Sequence, residues 1–148
     1  VVFDGVDGGP EGLDESQLGM GPWIVQPLVE SVRTEGEISV FVLGGQVVSQ
    51  VRKLPDGEEI RVHEEYGGRT EAVEVTQEAR ALALRAVDVG QKVLDAALPY
   101  ARVDVMRMPD GALALCELEV AEPGLYLDVV PQNAPAFADM VEGLLRET

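Results

Sequence analysis

Two stretches rich in β-branched residues, each interrupted by a glycine-containing turn, limit most strongly the folds open to this chain. The first, EISVFVLGGQVVSQVRK, covers residues 37–53 and is interrupted by Gly44-Gly45. The second, YARVDVMRMPDGALALCELEV, covers residues 100–120 and is interrupted by Asp110-Gly111. Glycine supplies the positive φ that tight hairpin turns need. Both stretches therefore predict antiparallel β-hairpins.

One clear helical pattern separates the two hairpins. Over residues 76–98 apolar side chains recur at steps of three and four, and this stripe includes Val89 and Val93. Gly90 weakens the helix interior by about 1 kcal/mol, and Pro99 marks its end. A second helix is predicted over residues 134–146, and the apolar run at 23–29 is typical of a buried strand. The order β, ββ, loop, α, ββ, α predicts an α+β fold of antiparallel hairpins with flanking helices.

The charge balance narrows the classes of partner. The chain has 148 residues, of which 27 are acidic and 11 basic, and its formal charge is −16. Such a surface would repel nucleic acid and anionic membranes, so we expect neither as a partner. No signal peptide and no apolar run long enough to span a membrane is present. A single cysteine, Cys116, forms no internal disulfide, and we expect a reducing, cytoplasmic location.

The first 21 residues differ in texture from the rest. Residues 1–21 are acidic and rich in glycine with little periodicity, which predicts a flexible terminal segment ahead of a folded part at 22–148. The motif DGVDGG suggests a calcium loop, but the spacing of an EF-hand is absent. The chain begins on Val1 rather than Met, which we interpret as the sign of a fragment or a processed piece.

The second hairpin places several charges on one face. If its loop has an even number of residues, Asp104 lies opposite Glu117 and Arg102 opposite Glu119, and all four share a face. Opposed side chains are about 5 Å apart at Cβ, where like charges repel. One arginine does not neutralise three carboxylates, whereas Mg²⁺ with oxygen ligands does. The alternative is a solvated hairpin with scattered acids, and an odd-numbered loop would shift the register. Cys116 is predicted to be a buried thiol on the opposite face.

The first hairpin repeats this division into two faces. A two-residue turn at Gly44-Gly45 predicts that Glu37 lies opposite Arg52 and that Ser39 lies opposite Gln50. The alternative interpretation is a cross-strand ion pair on a solvated face. The other face is predicted to be mainly apolar, with Ile38, Val40, Val42, Val47 and Val51.

Five segments together resemble the ATP-grasp enzymes, in particular those like bacterial glutathione synthetase and related small-molecule and peptide ligases. In chain order they are IVQPLVE, GEISVFVLGGQVV, RVHEEYGGR, ARVDV and ELEVAEPGLYLD. Their shared order and spacing carry the resemblance, which covers about residues 22–146. It implies that residues 22–148 are the C-terminal part of an ATP-grasp domain, the half of the nucleotide cleft that carries the metal site.

The resemblance also implies roles for particular residues around the phosphates. Asp104, Glu117 and Glu119, the residues that the hairpin pattern also selects, would hold two Mg²⁺ ions that bridge the phosphates of ATP. Arg102 would lie near the transferred phosphoryl group. Arg52 would lie near phosphate or acyl phosphate.

For the rest of the nucleotide, the resemblance points to the segment before the first hairpin. Gln26, Leu28 and Val29 would contact adenine through their backbone, with Leu28 or Val29 as the donor because Pro27 has no N–H. Glu37 would bind the ribose hydroxyls. Arg61 and the Gly67-Gly68 turn would belong to a loop that covers the substrates.

Two features depart from the family pattern. The family holds the phosphates of ATP with two lysines upstream of the adenine segment, whereas the lysines here are Lys53 and Lys92. The N-terminal substrate domain is also absent, so a missing N-terminal region or a partner chain is expected. The implied function is ATP- and Mg²⁺-dependent ligation of a small-molecule or peptide carboxylate to an amine or similar nucleophile through an acyl phosphate. The alternative is a non-catalytic nucleotide- or metal-binding module that acts through a partner chain.

Overall fold

A five-stranded antiparallel sheet forms the centre of the computed structural model, which describes residues 20–22 and 26–147. Its strands run in the order β3-β2-β1-β4-β5, and helices lie on both faces, which confirms the α+β prediction. In chain order the elements are α1 (Ser31–Thr34), β1 (Glu37–Leu43), β2 (Gln46–Leu54), a 3-10 turn (Glu64–Tyr66), β3 (Arg69–Ala72), α2 (Gln77–Leu94), β4 (Tyr100–Arg107), β5 (Leu113–Glu119) and α3 (Asn133–Glu147).

The described residues include only part of the N-terminal segments that are predicted from the sequence. Residues 1–19, which make up most of the expected flexible segment, lie outside the described residues, as do residues 23–25. Residues 26–29 of the expected strand have no regular structure and lead directly into α1. Within the described ranges, no helix combines the length and the apolar character needed to cross a membrane.

Helix α2 covers one face of the sheet with part of the stripe that the sequence predicts. Ala79 and Ala86, which belong to that stripe, are buried in the core, but its later residues are not. Val89 and Val93 are 49% and 78% exposed, whereas Ala83 and Val87 are buried. The reason lies in the approach of α2 to β5, because a Cβ on Gly90 would come within 2.8 Å of Leu118. The helix thus turns its small residues toward the sheet. The core on this face is formed by Val40, Val42, Val47, Ala79, Ala83, Ala86, Val87, Ala101, Val103 and Val105.

The opposite face carries a smaller apolar cluster beside α3. Phe41 and Val51 pack there against Val130, which lies in the segment that connects β5 to α3. The Ser49 hydroxyl donates to Asn133 Oδ1, and Asn133 Nδ2 donates to the carbonyl of Leu125 at 2.9 Å. These bonds hold the connecting segment against the sheet. Charged side chains lie on the rest of this face.

The register of the first hairpin differs from the prediction because β2 contains a bulge. Next to the turn, Val42 lies opposite Val47 as expected, but the register shifts between Phe41 and Val42. Beyond the shift, Glu37 lies opposite Lys53 and Ser39 lies opposite Val51, so the predicted pairs of Glu37 with Arg52 and Ser39 with Gln50 are wrong. One extra residue in a strand exchanges the faces on which the following side chains project.

In the second hairpin two departures cancel. Arg107 lies opposite Leu113, so residues 108–112 form an odd-numbered loop rather than an even one. A second register shift, between Asp104 and Val105, then restores the predicted pairs of Asp104 with Glu117 and Arg102 with Glu119. Cys116 is the additional residue at this shift. It is exposed, so the prediction of a buried thiol is wrong.

Candidate functional site

Asp104 is at the centre of a charged cluster on the sheet face opposite α2. It lies on β4, is 1% exposed, and has Ser39 of β1 on one side and Glu117 of β5 on the other. Arg102 Nε donates to both carboxylate oxygens of Asp104 at 3.0 and 3.1 Å, and Arg102 Nη2 donates to Oδ2 at 2.9 Å. Burial raises the pKa of Asp104, but the bonds from Arg102 and the charge of Lys53 lower it by more. Asp104 therefore stays ionised.

Lys53 is the second cation at Asp104, and the sequence did not identify it. It is 1% exposed, its Nζ lies 3.4 Å from Asp104 Oδ2, and it also contacts the carboxylate of Glu37. Burial lowers the pKa of Lys53, but Asp104 and Glu37 raise it by more, so the ammonium is retained. At Glu37 burial outweighs the charge of Lys53 and raises the pKa of the carboxyl. If the bulge in β2 is not taken into account, the alternation of side chains assigns Lys53 to the sheet face that carries α2.

Three carboxylates of the cluster are close enough to share a cation. One ligand oxygen from each of Asp104, Glu117 and Glu119 lies within 4.8 Å of the others. Opposite oxygens around Mg²⁺ are about 4.2 Å apart, and a purely carboxylate donor set suits this hard ion. Asp104 is buried, Glu119 is half-buried and Glu117 is exposed. The residues present fit Mg²⁺.

Acidic and basic groups alternate across the cluster. Glu37 contacts Lys53, Lys53 contacts Asp104, Asp104 contacts Arg102, and Arg102 contacts Glu119. With Glu117 included, four carboxylates and two cations leave a formal charge of −2 if all are ionised. The cluster therefore favours a bound cation more than a bare anion.

Two of the predicted arginines lie apart from this cluster. Arg52 projects from the sheet face that carries α2 and donates through Nε to Glu71 of β3 at 2.8 Å, because the bulge in β2 exchanges its face with that of Lys53. Arg61 lies in the loop between β2 and β3, where it pairs with Glu59 and stacks 3.6 Å above the ring of Tyr66. The cation next to Asp104 from β2 is thus Lys53 rather than Arg52.

The predicted adenine segment lies at the Glu37 end of the sheet. Gln26 is exposed, Leu28 and Val29 are half-buried, and the carbonyl of Val29 accepts from the first turn of α1 at 3.1 Å. The hydroxyl of Ser31 in α1 donates to the carbonyl of Arg107 at the end of β4. This bond ties the segment to the strand that carries Arg102 and Asp104.

Residues 12–128 match the model of the RimK-like ATP-grasp domain. The chain belongs to the RimK-like ATP-grasp family. The crystal structure of D-cycloserine synthetase DcsG superposes on this RimK-like chain with a TM-score of 0.68 at 30% identity, over 81% of this chain and 41% of that one.

Curated relatives agree with this assignment. Over 129 residues the RimK-like chain is 32% identical to the cycloserine biosynthesis protein DcsG of Streptomyces lavendulae, which covers 83% of this chain and 42% of that protein. Over 107 residues it is 32% identical to a probable alpha-L-glutamate ligase of Histophilus somni (strain 2336), which covers 72% of this chain and 32% of that protein. The chain thus spans less than half the length of these relatives.

Proposed function

We propose that this chain is the C-terminal part of an ATP- and Mg²⁺-dependent ligase that joins a carboxylate to an amine or similar nucleophile through an acyl phosphate. One observation carries the proposal. Asp104, Glu117 and Glu119 converge beside Arg102 on one sheet face of a RimK-like ATP-grasp chain. The family model supports the use of ATP, and the purely oxygen donor set supports Mg²⁺.

Each charged residue of the cluster has a role in this proposal. Asp104, Glu117 and Glu119 hold Mg²⁺, and Arg102 contacts the transferred phosphoryl group. Bound Mg²⁺ would neutralise the phosphate oxygens and so stabilise the charge that develops in phosphoryl transfer. Lys53 keeps Asp104 ionised and in place. Glu37 accepts hydrogen bonds from the ribose.

Two further contacts are proposed outside the cluster. The backbone of Gln26, Leu28 and Val29 contacts adenine, and Arg61 contacts the substrates from the loop between β2 and β3.

In the proposed reaction, a carboxylate oxygen attacks the γ-phosphorus and the bond to the β-phosphate oxygen breaks, which releases ADP. The amine then attacks the acyl carbon, the bond from that carbon to phosphate breaks, and the amine loses its proton to solvent. The preorganised charges of the cleft would supply most of the rate enhancement.

We further propose that residues outside this chain complete the cleft, either an N-terminal region or a partner chain. Both lysines of this chain are already paired with carboxylates, since Lys53 is buried between Glu37 and Asp104 and Lys92 pairs with Asp88 on the outer surface of α2. The length of the curated relatives supports this view. The name of the second relative, a probable alpha-L-glutamate ligase, favours amino acids as substrates. We place the ligase in the cytoplasm, where ATP is available and a single cysteine stays reduced.

Calorimetric titration of this chain with Mg–ATP tests the proposal. Without the two family lysines, charge-assisted bonds of about 1.5–3 kcal/mol each are lost, so affinity should be lower by roughly two to four powers of ten than in a complete cleft. We expect weak, Mg²⁺-dependent binding that Asp104→Asn abolishes, and no phosphate release. Asp88→Asn is the matched control, because Asp88 lies on α2 away from the cluster. Binding that is independent of Mg²⁺ or unaffected by Asp104→Asn would contradict the proposal.

A further inference from the structure

The side chain of Arg102 occupies the same carboxylates that the proposed cation needs. Three of its hydrogen bonds go to Asp104, and Nη2 also contacts Glu119. Both partners belong to the three-carboxylate cluster. Magnesium binds carboxylate oxygens at about 2.0–2.1 Å, so a guanidinium nitrogen about 3 Å from the same oxygens would repel it strongly. The ion and this arrangement of Arg102 therefore compete.

Lys53 does not compete in the same way. Its contact with Asp104 is longer, at 3.4 Å, and its closer partner is Glu37, which is not a member of the three-carboxylate cluster. The guanidinium of Arg102, in contrast, has both of its carboxylate partners within the three-carboxylate cluster, and it lies next to Gly124. A Cβ built on Gly124 would stand 3.7 Å from Arg102 Nη1, and glycine places no side chain there.

We propose that Arg102 takes the place of the metal ion in the unliganded chain, where its guanidinium neutralises Asp104 and Glu119. When Mg²⁺ binds, the guanidinium is released toward the phosphates. The inference rests on the proposed function, because it takes the three carboxylates as the Mg²⁺ site. Arg102 then makes charge-assisted bonds either to carboxylates or to phosphate, and this exchange couples the two ligands. Mg²⁺ alone binds weakly because it must displace Arg102, and Mg²⁺ with a nucleotide binds better because the displaced guanidinium gains a new partner.

The test measures two affinities in Arg102→Gln, and they should change in opposite directions. The first is the affinity for Mg²⁺ alone, by calorimetry in a buffer without phosphate. We expect it to rise about tenfold because the competing guanidinium is gone. The second is the affinity for a fluorescent ADP at saturating Mg²⁺, and we expect it to fall by about tenfold or more. A purely structural role of Arg102 predicts that both affinities fall.

Arg107→Gln is the matched control. Arg107 lies on the same strand and its removal changes the net charge equally, but it pairs with Glu35 and Glu78 outside the cluster. The variant Arg107→Gln shows how much the loss of one positive charge by itself changes the affinity for Mg²⁺. Arg102→Lys is the second variant if Arg102→Gln does not fold. Its single ammonium reproduces only part of the fork that bonds Asp104 and Glu119, so Mg²⁺ affinity should again rise.

The outcomes separate this inference from the proposed function. In one outcome Mg²⁺ binds the unaltered chain, and the affinity for Mg²⁺ changes no more in Arg102→Gln or Arg102→Lys than in Arg107→Gln. The proposal that Arg102 takes the place of the ion is then wrong, and the metal site stands. If neither Mg²⁺ nor Mg–ADP binds any variant at millimolar concentration, the metal site itself is wrong and the inference falls with it. A rise in Mg²⁺ affinity together with a loss of Mg–ADP affinity supports both.

Discussion

Lys53 Nζ lies 3.4 Å from Asp104 Oδ2, although the two residues belong to strands that are not neighbours. Strand β1 runs between β2 and β4, and the side chain of Lys53 crosses it to reach the carboxylate. The residue of β1 opposite Asp104 is the small, buried Ser39, which leaves room for this contact. The pair thereby links the strand of the first hairpin to the proposed metal site on the second.

Replacement of Lys53 by methionine should destabilise the fold strongly. The change leaves Glu37 and Asp104 without their shared cation in a buried site, and breaking a buried ion pair from one side costs about 3–5 kcal/mol. Urea denaturation at neutral pH measures the loss in free energy of unfolding. Lys92→Met is the control, because Lys92 is exposed and pairs with the exposed Asp88 on α2, so its removal should cost less than about 0.5 kcal/mol. Similar losses in the two variants would show that the contact with Asp104 contributes little.

Glu117→Gln should raise stability without metal and remove stabilisation by metal. Arg102 bonds Asp104 and Glu119, whereas Glu117 adds a third negative charge next to them. Relief of this repulsion should raise the free energy of unfolding by about 0.2–1 kcal/mol in the presence of a chelator. In millimolar Mg²⁺ the order should reverse, because ligand binding stabilises the unaltered chain.

Thermal denaturation with chelator and with Mg²⁺ gives this comparison. Glu74→Gln, at an exposed position after β3, makes the same change in net charge away from the cluster. Equal responses of the two variants to Mg²⁺ would argue against a metal site at Glu117.

The pH dependence of the loop between β2 and β3 should depend on Arg61. The hydrogen bond from the Arg61 side chain, followed by those from the backbone N–H groups of Arg61 and Ile60, lowers the pKa of Glu59 from 4.5 to about 2. A lowered pKa contributes stability that is present above pH 4.5 and is lost as the pH falls toward 2. In Arg61→Gln the backbone bonds remain, so the pKa of Glu59 should move to a value between 2 and 4.5.

Carboxyl-detected NMR titration of Glu59 measures this change. Arg69→Gln serves as the control, since Arg69 pairs with Glu71 rather than with Glu59. An unchanged titration of Glu59 in Arg61→Gln would show that the contact between the two side chains is not kept in solution.

Asn133→Ala should detach the segment between β5 and α3. The substitution leaves the buried hydroxyl of Ser49 and the carbonyl of Leu125 without their partner, which should cost about 1–3 kcal/mol. Hydrogen exchange should also become faster over residues 125–130. Gln132→Ala, at the exposed neighbouring position, should change little. The double variant with Ser49→Ala should lose less than the sum of the two single changes, because the residues share one bond; a simple sum would contradict the bond.

The sequence by itself determined the local elements and the identity of the proposed metal ligands. The β-branched runs and their glycine-containing turns located both hairpins, and the spacing of Asp104, Glu117 and Glu119 indicated three carboxylates on one face. The hairpins could be located because turn chemistry is a property of a few consecutive residues. The pairs of Asp104 with Glu117 and Arg102 with Glu119 agree with the prediction because the register shift after Asp104 offsets the odd-numbered loop. The family resemblance rested on the same short segments.

Only the tertiary structure decided which cation of β2 lies next to the three carboxylates and how the elements pack. Lys53 rather than Arg52 reaches Asp104 because β2 gains one residue at its bulge, and a single added residue moves every later side chain to the other face. Likewise, α2 buries Ala83 and Val87 rather than Val89 and Val93 because Gly90 allows close approach to Leu118 on β5. Bulges and the rotation of a helix follow from contacts between segments distant in the chain, and patterns of neighbouring residues do not encode those contacts.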